Sequence, residues 1–116
     1  GANIRTHENS PYVWVDQIKH PEPEGQQSVQ VLDKKSRKIV NTIRVTKESG
    51  KVALHMEYNR GGNEVWVSVL NRKEAKKSIG EIVVYDAKTL KEKARIKGLT
   101  TPTVKFNVFN RSNHKN

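Results

Sequence analysis

Short runs in which apolar and polar residues alternate, or in which β-branched residues follow one another, occur along most of the chain. Such runs are typical of β-strands, because successive side chains of a strand point to opposite faces of its sheet. No run has the period of an amphipathic helix. Glycine, proline, asparagine and serine mark turns at residues 21–25, 48–50, 60–63 and 97–98. The pattern predicts an all-β chain with strands at residues 12–16, 28–33, 39–43, 52–56, 64–69, 81–85 and 104–109.

The second half of the chain repeats the first. Residues 84–91 resemble residues 31–38, with an offset of 53 residues between Asp33 and Asp86. One unit holds about four short strands, which is close to the period of a propeller blade. The sequence therefore predicts about two four-stranded antiparallel blades of a β-propeller, with units at roughly residues 1–50 and 51–110 and a tail at 111–116.

Each unit is expected to carry a hairpin between its outer strands, where an aspartate ends one strand and polar residues lead into a basic returning strand. In the second unit, no strand corresponding to residues 64–69 follows residues 104–109. Two open blades expose strand edges and one side of a propeller core. The chain is expected to be incomplete on its own and to need the remaining blades, from the same precursor or from another subunit.

Two kinds of residue are expected to serve packing. Trp14 and Trp66 hold equivalent places in the repeat, although their separation along the chain is one residue shorter than the 53-residue offset between Asp33 and Asp86. Equivalent places favour packing between blades over stacking on a ligand. His7 lies between an inner strand and a turn, and it is expected to brace the corner at residues 9–11.

Composition narrows the classes of function. The chain carries 22 Lys and Arg against 12 Asp and Glu, a formal charge of +10, which favours an acidic partner. The basic residues concentrate at 34–38 and 88–97, on predicted outer strands, where charge protects an exposed edge. No recognition helix or RNA-binding motif accompanies them, so nucleic acid is an unlikely partner.

The absence of cysteine excludes disulfides and thiolate chemistry within this stretch, and no apolar run is long enough to span a bilayer.

Several segments resemble the C-terminal part of the haem d1 domain of cytochrome cd1 nitrite reductases, or a close paralogue of it. The segments are residues 6–16, 27–29, 58–69, 86–94 and 101–110, and the match in which they lie extends over nearly the whole chain. The resemblance implies an eight-bladed propeller that holds haem d1 in its channel and reduces nitrite to nitric oxide in the periplasm. It also implies that the iron ligands and catalytic histidines lie upstream, so no catalytic or metal-binding residue is assigned here.

By the same resemblance, the stretch would supply part of the haem d1 pocket wall from the starts of inner strands. Four positions are candidates for cofactor binding. Asn3 replaces an aromatic residue of the family pattern, Leu70 replaces Trp and Val104 replaces Gly, whereas His55 stands where the family has an amide or an imidazole and is compatible with it. Val104 adds bulk, whereas Asn3 and Leu70 remove stacking surfaces. His55 could donate to a carboxylate or act as an acid near neutral pH; a partly buried structural role is the alternative.

Three functions stay open at this point. The first is part of a cytochrome cd1-type nitrite reductase, with an acidic electron-transfer cytochrome as a possible partner. The second is a propeller module without cofactor that has a structural or interaction role in a redox complex, motivated by Asn3, Leu70 and Val104. The third is a propeller protein of haem d1 biosynthesis.

Overall fold

A computed structural model describes residues 3–71 and 79–100 as two antiparallel sheets of four strands each. We call the sheet within residues 4–44 blade 1 and the sheet within residues 51–100 blade 2; in each, the strands lie side by side in the order in which they follow one another along the chain. This confirms the predicted all-β class and its two four-stranded blades. The elements are β1 (Ile4–Thr6), β2 (Tyr12–Asp16), α1 (Pro23–Gln26), β3 (Ser28–Asp33), β4 (Ile39–Arg44), β5 (Lys51–Tyr58), β6 (Glu64–Asn71), β7 (Ile79–Asp86) and β8 (Glu92–Thr100).

The strand register shows that the sequence repeat is a structural repeat. Trp14 of β2 lies opposite Val31 of β3, and Trp66 of β6 lies opposite Val84 of β7. The tryptophans therefore hold the same place in their blades, although each blade surrounds its tryptophan differently. Trp14 is fully buried, whereas Trp66 is only half-buried.

The core lies between the two blades. Trp14 packs there against Tyr85 of β7, with ring centroids 5.6 Å apart. Trp66 lies on the other face of β6, because strand side chains alternate and its neighbours Val65 and Val67 belong to this core. The core consists of Trp14, Val29, Val31, Val45, Ala53, Met56, Tyr58, Val65, Val67, Val69, Val83, Tyr85 and Ala87.

The expected outer hairpins are present in both blades. Asp33 Oδ2 accepts hydrogen bonds from the backbone N–H groups two and three residues later, at 3.1 and 2.7 Å. Asp86 Oδ1 accepts the corresponding pair, both at 2.8 Å. Arg37 and Leu90 then take left-handed backbone conformations, with φ of 63° and 65°. The two hairpins are built in the same way down to their backbone angles.

Two turn signals have a different structural meaning from the one expected. Residues 21–25 run into a single helical turn, α1, which has a proline at its start. Residues 97–98 do not form a turn but lie inside β8. They form a β-bulge there, in which the two residues face the single residue Glu81 of β7. Gly98 has a φ of 75° there, so the glycine serves the bulge and not a chain reversal. The predicted strand at 104–109 lies outside the described residues.

Candidate functional site

The first strands of the two blades, β1 and β5, lie side by side and form the inner edge of the structure. Asn3 directly precedes Ile4, and His55 directly precedes Met56. Ile4 and Met56 hold the same register in their blades, each opposite the residue that follows the tryptophan. Asn3 and His55 therefore hold equivalent places in the sequence repeat, Asn3 just before β1 and His55 within β5.

Both positions converge on one carboxylate, that of Asp16 at the end of β2. Asp16 Oδ1 accepts the backbone N–H of Asn3 at 3.1 Å, and Oδ2 accepts the side-chain amide of Asn3 at 2.7 Å. The same Oδ2 accepts the backbone N–H of His55 at 3.2 Å. Asp16 is only 1% exposed. The buried carboxylate thus joins the two blades, and we call these three residues the Asp16 cluster.

His55 has an unusual backbone conformation. Its φ of 56° lies in the left-handed region, which few residues other than glycine adopt. The residue forms a bulge in β5, between Leu54 and Met56, where the register with β6 shifts. The side chain is half-buried, and its Nδ1 atom is shielded from solvent. His55 was expected at the start of an inner strand, but it lies inside β5.

The other predicted positions lie elsewhere. Leu70 is in β6, one strand behind the inner strand, opposite Val52, and only 2% of it is exposed. Val104 lies outside the described residues. Asp16 was not singled out from the sequence, although it ends a predicted strand and its counterpart in blade 2 is Ser68. That difference, directly after the Val-Trp-Val triplet that both strands share, was the available signal.

At the other end of the inner edge, the turns of the two blades are joined through His7. Its Nδ1 accepts the backbone N–H of Asn9 at 3.0 Å, which confirms that His7 braces this corner. Its Nε2 therefore carries the proton and donates to the backbone oxygen of Arg60 at 2.8 Å. Gly62 lies under the imidazole, where a Cβ atom would come within 2.3 Å of Nδ1. The close approach explains why the turn of blade 2 needs glycine here.

A polar cleft of about 380 Å³ opens beside these turns. Arg5 Nε lies 3.6 Å from Glu57 Oε1 on its wall. The hydroxyl of Tyr58 shares a hydrogen bond of 2.9 Å with Ser10 Oγ. Burial raises the pKa of the Tyr58 hydroxyl, and the bond to Ser10 opposes that rise. The cleft is lined by Arg5, Thr6, His7, Glu8, Glu57, Tyr58 and Arg60.

Among residues 3–71 and 79–100, no three His, Asp or Glu side chains are grouped closely enough to hold a metal ion. No helix within the described part of the chain is long and apolar enough to cross a membrane. The inner edge offers two arginines, Arg5 and Arg60, and two half-buried imidazoles, those of His7 and His55.

Comparison with known proteins relates this arrangement to haem d1 proteins. The sequence model of the Cytochrome D1 heme domain family matches residues 1–111. A nitrite reductase of Stutzerimonas stutzeri is 39% identical over 120 residues, covering 95% of this chain and 21% of that protein. A dihydro-heme d1 dehydrogenase of Pseudomonas aeruginosa is 35% identical over 114 residues, covering 96% of this chain and 20% of that protein.

A solved structure supports the same relationship. The dihydro-heme d1 dehydrogenase NirN, in complex with DHE, superimposes with a TM-score of 0.69 at 31% identity, over 94% of this chain and 21% of that chain. The chain thus spans about a fifth of the length of the relatives that it matches. Family match, sequence identity and blade geometry agree: this chain belongs to the Cytochrome D1 heme domain family.

Proposed function

We propose that this chain forms two neighbouring blades of a haem d1 propeller and lines part of the channel that holds the macrocycle. The whole protein would be a nitrite reductase that converts nitrite to nitric oxide in the periplasm. When bound, haem d1 would supply the iron at which nitrite is reduced. The chain's own residues would shape the wall and offer hydrogen-bond donors.

One observation carries the proposal: the equivalent positions Asn3 and His55 meet at the inner edge, and His55 is held there in a left-handed conformation. Strained conformations of this kind cost on the order of 1–3 kcal/mol and persist where the surroundings over-determine them, often at ligand sites. A half-buried imidazole in such a place is suited to donating a hydrogen bond to an anionic group.

The residues of the inner edge fit a macrocycle that bears carboxylates. Arg5 and Arg60 line the cleft at one end of the edge, and arginine is well suited to carboxylates because its donors form a planar fork. The side-chain amide of Asn3, by contrast, already donates to Asp16. We therefore assign the contact with the macrocycle to His55 and the arginines, and not to the Asn3 side chain.

The test uses the complete polypeptide that carries this chain. We expect it to bind haem d1, seen in its absorbance spectrum, and to reduce nitrite. Replacing His55 by Asn, a residue that tolerates left-handed φ but has a shorter side chain, should lower the affinity for the macrocycle about tenfold. His20→Asn is the matched control, because His20 lies in the segment between β2 and α1, where its ring packs over Gly25.

Two results would contradict the proposal. A complete protein with neither a haem d1 spectrum nor nitrite turnover would leave the alternative of a propeller without cofactor, in a structural role. Equal macrocycle affinities for the His55→Asn and His20→Asn variants would remove His55 from the wall.

A second candidate function is oxidation of dihydro-haem d1, as the last step in making the cofactor. It is favoured by the similarity to a dihydro-heme d1 dehydrogenase, which at 35% identity is nearly as high as the 39% to the nitrite reductase. Supplying the purified protein with nitrite or with dihydro-haem d1 separates the two functions. Turnover of dihydro-haem d1 alone would replace the reductase assignment.

The proposal includes two partners. The remaining blades would cover the outward face of blade 2, on which Trp66 lies half-buried. An acidic electron-transfer cytochrome would fit the outer strands, where a groove of about 400 Å³ is lined by Arg44, Lys47, Arg95 and Lys97 together with Glu48 and two uncharged residues. Glu81 and Glu92 fix Arg95 in that groove with contacts of 3.0 Å.

A further inference from the structure

Asp16 is a costly residue to bury. A carboxylate removed from water must be compensated by hydrogen bonds or opposite charge. Here three donors, all neutral amide N–H groups, reach its two oxygens from Asn3 and His55. Because one of them comes from the other blade, the compensation is complete only when the blades are docked. The carboxylate therefore links blade docking to the backbone of His55.

The repeat shows that this arrangement is specific to one boundary. Ser68 holds the place of Asp16 in blade 2, and it is likewise buried, at 3% exposure. A serine side chain is shorter, and its hydroxyl has two lone pairs where a carboxylate has about four acceptor sites, so it cannot serve the three donors that the Asp16 carboxylate serves. Propeller packing at this position thus does not in general require an aspartate.

We propose that Asp16 is a positioning residue for the channel wall: across the blade boundary, its carboxylate holds the backbone of His55 in the left-handed conformation and so sets the direction of the imidazole. Without that acceptor, the N–H of His55 would lose its partner, and a non-glycine residue would be favoured to return to the β-region. The part of this inference that concerns the macrocycle rests on the proposed function.

The experiment compares Asp16→Asn with Asp33→Asn in the complete polypeptide. Both variants make the same chemical change at an aspartate that accepts backbone N–H groups, one at the blade boundary and one on an outer hairpin. We expect amide hydrogen exchange at His55 to become at least tenfold faster in Asp16→Asn and to be unchanged in Asp33→Asn. The NMR signals of the ¹³C-labelled His55 imidazole should shift only in Asp16→Asn.

Affinity for haem d1 provides the functional readout. Asp16→Asn should lower the affinity for haem d1 about as much as His55→Asn does. The asparagine has one accepting oxygen for three donors, so the His55 imidazole would lose its fixed direction. Asp33→Asn should leave the affinity unchanged. If Asp16→Asn does not fold, Asp16→Ser replaces it, because serine is accommodated at the equivalent position of blade 2. The same exchange, NMR and affinity changes are expected for Asp16→Ser.

The outcomes separate the two proposals. Equal exchange and equal imidazole signals at His55 in the Asp16 and Asp33 variants would overturn the positioning role. Faster exchange at His55 in the Asp16 variant, in a protein that binds no macrocycle, would support the positioning role and contradict the proposed function. Loss of macrocycle affinity without any change at His55 would also overturn the positioning role.

Discussion

In the outer hairpins, Asp33 and Asp86 make the same pair of backbone hydrogen bonds, between 2.7 and 3.1 Å, and in each hairpin a residue with left-handed φ follows four positions later. At the boundary between the blades, corresponding positions differ. Asn3 has His55 as its counterpart, and Asp16 has Ser68. The outer hairpins thus have the same structure in both blades, whereas the residues at the blade boundary differ from one blade to the other.

The difference has a physical origin. Each outer hairpin is stabilised by contacts within six residues, so the same short sequence produces the same turn wherever it occurs. The residues at the blade boundary are held by contacts between the blades, such as those from Asp16 to His55 and from His7 to Arg60. A residue at such a position must therefore fit its neighbour in the other blade.

The largest effect is expected at the tryptophans. Trp14→Ala should lower the free energy of unfolding by about 3–5 kcal/mol, because it empties a fully buried site against Tyr85. If a further blade covers Trp66 in the complete protein, Trp66→Ala should cost nearly as much there. Chemical denaturation of both variants measures this. A much smaller loss for Trp66→Ala would show that its face stays open.

A smaller effect is expected at two glycines that share a left-handed conformation. Gly62 and Gly50 have φ of 79° and 80°, so alanine at either position costs about 1–2 kcal/mol. Only at Gly62 would the new Cβ atom also displace His7, with a further loss of about 1 kcal/mol for each of its hydrogen bonds. Thermal denaturation compares the variants, and equal losses would mean that the His7 contact between the turns contributes nothing to stability.

The smallest effect is expected at the outer hairpins, and it should be equal in both. Backbone hydrogen bonds lower the pKa of Asp33 and Asp86 below the ordinary value of 3.8. A carboxyl whose pKa is lowered by folding stabilises the protein above its unfolded pKa, and that contribution is lost as the pH falls through the folded pKa. Asp33→Asn and Asp86→Asn should therefore lower the Tm slightly and equally at pH 7, and less as the pH falls below 3.8. Unequal losses would show that the two hairpins are not equivalent.

Much of the fold could be predicted because its signals are local. Alternating runs predicted β2, β3, β4, β5, β6 and β7, and the repeated aspartate motif predicted the return into β8. Gly98 was assigned to a turn, since a left-handed glycine is compatible with both a turn and a bulge. Only the strand that pairs with β8 distinguishes the two.

The candidate site could be predicted in part. Asn3 and His55 were identified through the family resemblance, but their common partner Asp16 was not, because its two partners lie 13 and 39 residues away along the chain. The bulge at His55 depends on the pairing of β5 with β6, so the sequence did not reveal it.

The sequence by itself determined that this chain makes two similar four-stranded blades, because strand alternation and turn chemistry act over a few residues and recur with the repeat. Only the tertiary structure decided which repeated positions share a role. Trp14 is buried and Trp66 half-buried, and Asp16 serves both blades while Ser68 takes its place in the second. The reason is that burial and hydrogen bonding at the blade boundary depend on the neighbouring blade, which no single repeat encodes.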